Sequence, residues 1–295
     1  MSERDNSDRR PVVDIAWCIA WCIACEEQLV PYTLVVFHAH PDDESIATAG
    51  TMAKAKVEGH RVVLVVATRG ELGESAPGSV APGTSLAEVR VREQLAAAEV
   101  LGVDRVEFLG FHDSGMAGEP TNDAPEAFAS ADVVDAATRL AKLLAEEHAD
   151  VLTVYDDHGG YGHPDHIQVH VVGVRAAELA GTPVVLENTV NRDHVRRMME
   201  LMAEQAPADS ENGPPIDDIE NFGEPEARIT TTVDVREFVD VKRAAMRAHA
   251  SQIPPDSFFL SLPDDAFREA FGWEWYIRRG APGGTREGSV FAAVS

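Results

Sequence analysis

Five short runs of consecutive apolar, largely β-branched residues punctuate the chain: Thr33-Leu34-Val35-Val36-Phe37, Arg61 to Thr68, Val106 to Leu109, Val151-Leu152-Thr153-Val154-Tyr155 and Pro183 to Leu186. Runs of this length without polar alternation predict strands buried on both faces. Between them lie amphipathic stretches. The pattern predicts helices over 45–58, 85–101, 130–148, 166–180 and 193–205, and a further one over 235–250. Gly59 and Gly102 stand where a helix C-terminus favours glycine, and Ser85 with Glu88 has the spacing of a capping box. Strand and helix alternate, which predicts an α/β fold: a Rossmann-like, mainly parallel sheet with helices on both faces, in a single domain.

The end of the chain reads differently. Residues 228–233 alternate like a strand, and Phe258-Phe259-Leu260 and Trp273-Glu274-Trp275-Tyr276-Ile277 are expected to serve as core and edge-strand packing. Residues 206–226 are acidic and rich in Pro, Gly and Asn, a composition that favours a linker over a lid. The domain is expected to span residues 31–280, with 281–295 a C-terminal tail. Residues 1–30 hold a short direct repeat, Ala16-Trp17-Cys18-Ile19-Ala20-Trp21-Cys22-Ile23, ending at Cys25. Its apolar run is too short for a transmembrane helix and makes a poor export signal, so it is read as a disordered or loosely docked extension.

Composition narrows the function. A chain of 295 residues suits one large α/β domain. A formal net charge of −25 argues against nucleic acid and against anionic membranes as partners. All three cysteines fall at 18, 22 and 25, so no disulfide framework is implied and a cytoplasmic location fits. No dinucleotide-binding glycine fingerprint is present, since Gly159-Gly160-Tyr161-Gly162 lacks the required spacing.

The chemistry gathers at two strand ends. After the first strand comes His38-Ala39-His40-Pro41-Asp42-Asp43-Glu44, and after the fourth comes Asp156-Asp157-His158-Gly159-Gly160-Tyr161-Gly162-His163-Pro164-Asp165-His166. Asp, Pro and Gly fill turns for ordinary reasons, and either stretch alone would be read that way. Together they supply what a catalytic zinc site needs, with His40 and Asp43 on one turn and a histidine from the second segment as third ligand.

These two motifs resemble those of the PIG-L/LmbE-like family of zinc-dependent N-acetylglucosaminyl deacetylases, in particular its actinobacterial branch. That branch acts on N-acetylglucosaminyl-inositol or, as an amidase, on mycothiol conjugates. The resemblance implies one zinc per chain, with iron(II) an alternative, held by His40, Asp43 and His166. It implies Asp42 as general base, His163 as the group stabilising the oxyanion and Tyr161 as a carbonyl-polarising partner. It also implies Arg90 and Asp113 as holders of sugar hydroxyls, with Arg92 an alternative to Arg90, and a small-molecule N-acyl amino sugar as substrate. Glu74, in the loop after the second strand, is a further candidate for substrate contact. Asp165 reads as a partner orienting a ligand, His38 as a non-ligand, and His170 and His249 as supporting residues. A metal- or sugar-binding protein without catalysis is the alternative of another class; binding alone needs no base such as Asp42. Because the extension carries none of this chemistry, a chain lacking residues 1–28 is predicted to keep its fold and activity. An insoluble or inactive truncation contradicts that.

Overall fold

The computed structural model describes residues 31–205 and 219–294. The expectations for residues 1–30 and for 206–218 lie outside the described residues. Seven strands form one sheet: β1 (Thr33–His38), β2 (Arg61–Val66), β3 (Arg105–Phe108), β4 (Val151–Tyr155), β5 (Val184–Thr189), β6 (Thr231–Asp234) and β7 (Trp273–Arg278). Their order is β3-β2-β1-β4-β5-β7-β6. The first five pair in parallel; β7 runs antiparallel to β5, and β6 antiparallel to β7.

The buried runs behave as two-sided strands. From β1, Val35 and Phe37 face a layer built on α4 (Val133–Glu146) and α5 (Pro164–Ala180), in one core cluster with Leu152 and Val154. Leu34 and Val36 face the other way. They join Met52 of α2 (Ala49–Val57), Ala97 of α3 (Leu86–Leu101) and Ala245 of α7 (Val239–Ala248). Each side therefore carries its own apolar layer, and the alternation of strand side chains divides one continuous run between them.

Several boundaries depart from the sequence reading. The helix expected over 45–58 breaks at Thr48 (φ −134°) into α1 (Asp43–Ala47) and α2. The aromatic strand β7 is interior rather than an edge, because β6 pairs on its outer side. Residues 219–226 pack as part of the domain: Gly223 N–H donates to Gly160 O at 2.9 Å, and Glu224 is buried. Beyond residue 280 the chain also returns to the core. Val290 and Phe291 are buried, and the Phe291 ring lies 4.1 Å from that of His60. Both segments are short apolar or acidic islands among Pro and Gly, so no periodicity announces their burial.

A buried ion pair ties the antiparallel end to the parallel half. Lys242 of α7 donates to Glu274 of β7 at 2.6 Å, each side chain 1% exposed. The same carboxylate accepts Gly50 N–H and Thr51 N–H, both at 2.8 Å, at the first turn of α2. Removing only the cation leaves a buried carboxylate without its counter-charge, a change that typically costs about 3–5 kcal/mol. Lys242→Met is predicted to lower the unfolding free energy by about that amount in urea titrations. A loss below about 1 kcal/mol contradicts the role given to the pair.

Candidate functional site

The sheet order reverses between β1 and β4, and the two polar motifs follow these two strands. Open α/β sheets form their ligand crevice at such a switch point. Leaving β1, the chain turns sharply at Pro41 and enters α1. Asp42 holds the turn in left-handed backbone, φ 102° and ψ −29°, a conformation that ordinarily favours glycine. Such a residue costs on the order of 1–3 kcal/mol and persists where its surroundings enforce it. Here Asp42 N–H donates to Glu44 Oε2 at 3.1 Å, and Asp42 O accepts Ser45 N–H at 3.0 Å.

The turn sends two neighbouring carboxylates in different directions. Asp43 folds back, with Oδ2 accepting His40 N–H at 2.8 Å. The same oxygen lies 3.4 Å from His40 Nδ1, and Oδ1 lies 3.4 Å from His166 Nε2. Asp42 instead meets the Arg90 guanidinium, with Nη2 3.1 Å from Oδ1. Burial pushes the Asp42 carboxyl up to about 6, against the Arg90 charge and together with the charge on Asp43. Asp43 is held well below the carboxylate range: burial opposes ionisation, and the His166 and His40 rings outweigh it.

Three imidazoles crowd this point. His40, His163 and His166 each offer a nitrogen within 4.8 Å of the others. Their hydrogen bonds distinguish them. His163 Nδ1 accepts Asp165 N–H at 3.1 Å, which places the ring proton on Nε2 and makes that edge a donor. Burial, with His40 and His166 adding to it, pushes His163 down to about 4, so the ring is neutral. His166 Nε2, by contrast, is buried with no hydrogen-bond partner, and its ring stacks on Tyr155 at 4.1 Å. An orphaned ring nitrogen facing a carboxylate is what an imidazole ligand leaves when its cation is absent. His40, Asp43 and His166 therefore fit a divalent cation through two imidazoles and one carboxylate, a donor set suited to zinc.

The other edge of His40 is also engaged. Nε2 lies 3.1 Å from Asp165 Oδ2 and 3.5 Å from Asp113 Oδ1. Burial disfavours the charged ring, yet bonding to Asp113, Asp165 and Asp43 raises its pKa well above the usual value. Asp165 is fixed in turn by Ser114, whose N–H donates to Oδ2 at 3.0 Å and whose hydroxyl donates to Oδ1. This is the arrangement by which a carboxylate orients a ligating ring. The part of Ser114 was not read from the sequence; an isolated Ser beside Asp113 carries no signal of it.

The cluster opens into a cavity of about 810 Å³. Glu74, Asp113, Tyr161 and His163 all line it, and so does Arg90. Tyr161 is about half exposed, its ring 5.0 Å from that of His166. Partial burial and the surrounding acids, Asp43 foremost, keep its hydroxyl protonated. The Asp113 oxygens are taken by Gly115 N–H at 2.9 Å and Leu72 N–H at 3.1 Å, beside His40. Another part of the lining is apolar: Met198, Phe222, Phe258, Phe271 and Trp273, of which Phe258 and Trp273 were expected chiefly as packing, with sugar stacking the lesser reading. Gly159 is required where it stands. A Cβ there would lie 2.8 Å from His166 Cβ and 2.9 Å from the Ile167 nitrogen.

Three further histidines, His38, His170 and His249, bond to groups around the site. His38 lies between Tyr155 Oη and Thr48 Oγ1, 2.8 Å from each, and away from the cluster. His170 Nδ1 bonds Tyr155 O at 2.9 Å. His249, on the far side of the chain in sequence, meets Glu44 Oε1 at 2.8 Å with both side chains fully buried.

Residues 35–177 match the family described as PIG-L, GlcNAc-PI de-N-acetylase. A 1D-myo-inositol 2-acetamido-2-deoxy-alpha-D-glucopyranoside deacetylase of Acidothermus cellulolyticus is 39% identical over 277 residues, covering 89% of this chain and 95% of its own. A protein of the same description from Nocardiopsis dassonvillei is 43% identical over 260 residues, covering 82% and 92%. Among solved structures, N,N'-diacetylchitobiose deacetylase from Pyrococcus horikoshii superposes with a TM-score of 0.57 at 17% identity, over 94% of this chain and 96% of its own.

The divergent placement of the two aspartates generates a paired expectation. Asp42→Ala is predicted to keep metal near wild-type stoichiometry while the rate falls by about 10²–10⁴. Asp43→Ala is predicted to weaken metal binding first, with part of the rate recovered at high metal concentration. Metal analysis beside steady-state rates separates them, and the reverse pattern contradicts the geometry.

Proposed function

The chain belongs to the PIG-L family of de-N-acetylases, and we propose that it catalyses a zinc-dependent removal of acetate from an N-acetylglucosaminyl-inositol-type substrate. It is an amide hydrolase acting on a small acetylated sugar rather than on a peptide bond. The observation that carries the zinc reading is the unpartnered, buried Nε2 of His166 opposite Asp43, with His40 completing the set. When bound there, zinc lowers the pKa of a water to roughly 7 and draws charge from the carbonyl. The curated relatives supply the substrate class. A cytoplasmic location belongs to the same reading, and no described helix is long and apolar enough to cross a membrane.

The chain's own groups divide the reaction. Water attacks the amide carbon, the C–N bond breaks, and acetate and a free amine leave. Asp42 takes the proton released by the water and passes it to the departing nitrogen, which accepts the C–N electron pair. His163, neutral with its proton on Nε2, donates to the carbonyl oxygen as negative charge gathers there. Tyr161 holds its proton and offers a second donor at the same cavity. Glu74 and Asp113 line the same cavity, where a polyol would present hydroxyl groups.

A second reading has its own observation. The wall of Met198, Phe222, Phe258, Phe271 and Trp273 suits an apolar group carried at the far end of the substrate, as in an S-conjugated thiol amide. Release of free amine from a panel of N-acetylglucosaminides and S-conjugated amides decides between the two. The inositol-linked acetamide is predicted to show the highest kcat/KM. Chelation is predicted to abolish turnover, and about one equivalent of zinc to restore it. No amine from any member, or undiminished turnover after stripping, contradicts the proposal; preference for the S-conjugates selects the second reading.

A further inference from the structure

Tyr161 belongs to a loop that cannot hold its own shape. In Gly159-Gly160-Tyr161-Gly162 the glycines take φ of 70°, 73° and 89°. Glycine reaches such backbone as readily as many other conformations, so the geometry has to be imposed by what the loop touches. Tyr161 is itself about half exposed. Its ring meets His166 and His163 edge-on, with centroids 5.0 Å and 6.2 Å away. Contacts of that kind leave the place of the phenol to the backbone that carries it.

Asp156 holds that backbone. It follows β4, is 1% exposed, and its N–H donates to Asn188 O at 3.0 Å. Its Oδ1 accepts Gly160 N–H at 2.6 Å, and its main-chain oxygen accepts Gly159 N–H at 3.0 Å. The other carboxylate oxygen, Oδ2, accepts the Thr189 hydroxyl at 2.6 Å. Thr189 lies in β5, is 4% exposed and pairs with Trp275 of β7, so the carboxylate is tied to the sheet. Across the loop, Gly223 N–H donates to Gly160 O at 2.9 Å. Both backbone polar groups of the residue directly before Tyr161 are therefore held. Asp156 also lies 3.4 Å from His158 Nδ1 at the start of the loop, and it does not itself line the cavity.

We propose that Asp156 is a positioning residue for Tyr161: by clamping Gly160 against the sheet it keeps the phenol beside His166. The proposal rests on the reading of Tyr161 as a donor to the carbonyl oxygen. Its effect reaches the reaction through the loop alone, so it should be visible only while the Tyr161 hydroxyl is present.

The test is steady-state kinetics of the zinc-loaded full chain with the inositol-linked acetamide, rates being normalised to bound zinc so that only folded protein is counted. Asp156→Ala is expected to lower kcat by about 10–100-fold, the scale of a misplaced reacting group, with KM within about threefold and zinc stoichiometry at wild-type level. Asp156→Asn keeps an acceptor for Gly160 N–H and can donate to Thr189 Oγ1, so it is expected to restore kcat to within about threefold of wild type. Thr189→Val, which loosens the carboxylate without removing it, lowers kcat in the same direction and serves as the variant if Asp156→Ala fails to fold. In a Tyr161→Phe background each of these substitutions is expected to change kcat by less than about twofold, because the group being positioned is gone. Equal losses in both backgrounds overturn the proposal, as does a loss in Asp156→Asn as large as in Asp156→Ala. Wild-type kcat in both Asp156→Ala and Thr189→Val, with Tyr161→Phe impaired, overturns it while leaving the role of Tyr161 intact. Wild-type kcat in Tyr161→Phe alone removes the reading of Tyr161, and the proposal with it.

Discussion

Two carboxylates one residue apart must reach different partners, and the left-handed backbone at Asp42 is how the chain achieves it. In ordinary helical or extended backbone the turn would not send Asp43 back beneath His40 while Asp42 faces Arg90. The conformation is costly for an aspartate, and it is enforced from three directions by the Glu44 carboxylate, the Arg90 guanidinium and the start of α1. At Thr48 the backbone leaves helical geometry, and α2 beyond it is anchored by Glu274 through the Gly50 and Thr51 N–H groups.

The electrostatics of the site form one connected balance. Asp42, Asp43, Asp113 and Asp165 lie within a buried region that holds Arg90 and three imidazoles. Without a cation, His40 is pulled toward its charged form by the carboxylates on both sides. A divalent ion placed between Asp43 and the two rings would supply that charge directly and leave His40 neutral, as ligation requires. Asp165 serves two rings at once: its carboxylate orients His40, and its backbone N–H fixes the tautomer of His163. That double use accounts for the short spacing of His163, Asp165 and His166 at the head of α5.

The five parallel strands and the two motifs at their ends were legible because consecutive apolar residues and clustered His and Asp are local signals; the switch point between β1 and β4 emerges only from the strand order. So were the candidate ligands His40, Asp43 and His166, which the fold brings to one point. Less legible was whatever depends on contacts far apart in sequence. Glu44 with His249 and Lys242 with Glu274 join residues that look like ordinary surface charges until the sheet is assembled. Arg90 illustrates the limit best. Its place near the substrate cavity follows from the family pattern, whereas its three bonds to Pro41, Gly70 and Asp42 depend on how closely two glycines let a loop approach. The apolar lining was harder to read because its residues come from four separated segments, each explicable alone as core packing, so that sugar stacking ranked second for Phe258 and Trp273.

In the proposed mechanism two of the three clustered imidazoles ligate the metal and the third donates a hydrogen bond to the carbonyl oxygen. Zinc K-edge X-ray absorption of the loaded protein counts imidazole ligands directly. Two are expected in the wild-type protein, one in His166→Ala and still two in His163→Ala. Three imidazoles in the wild type, or a loss of one in His163→Ala, would contradict it.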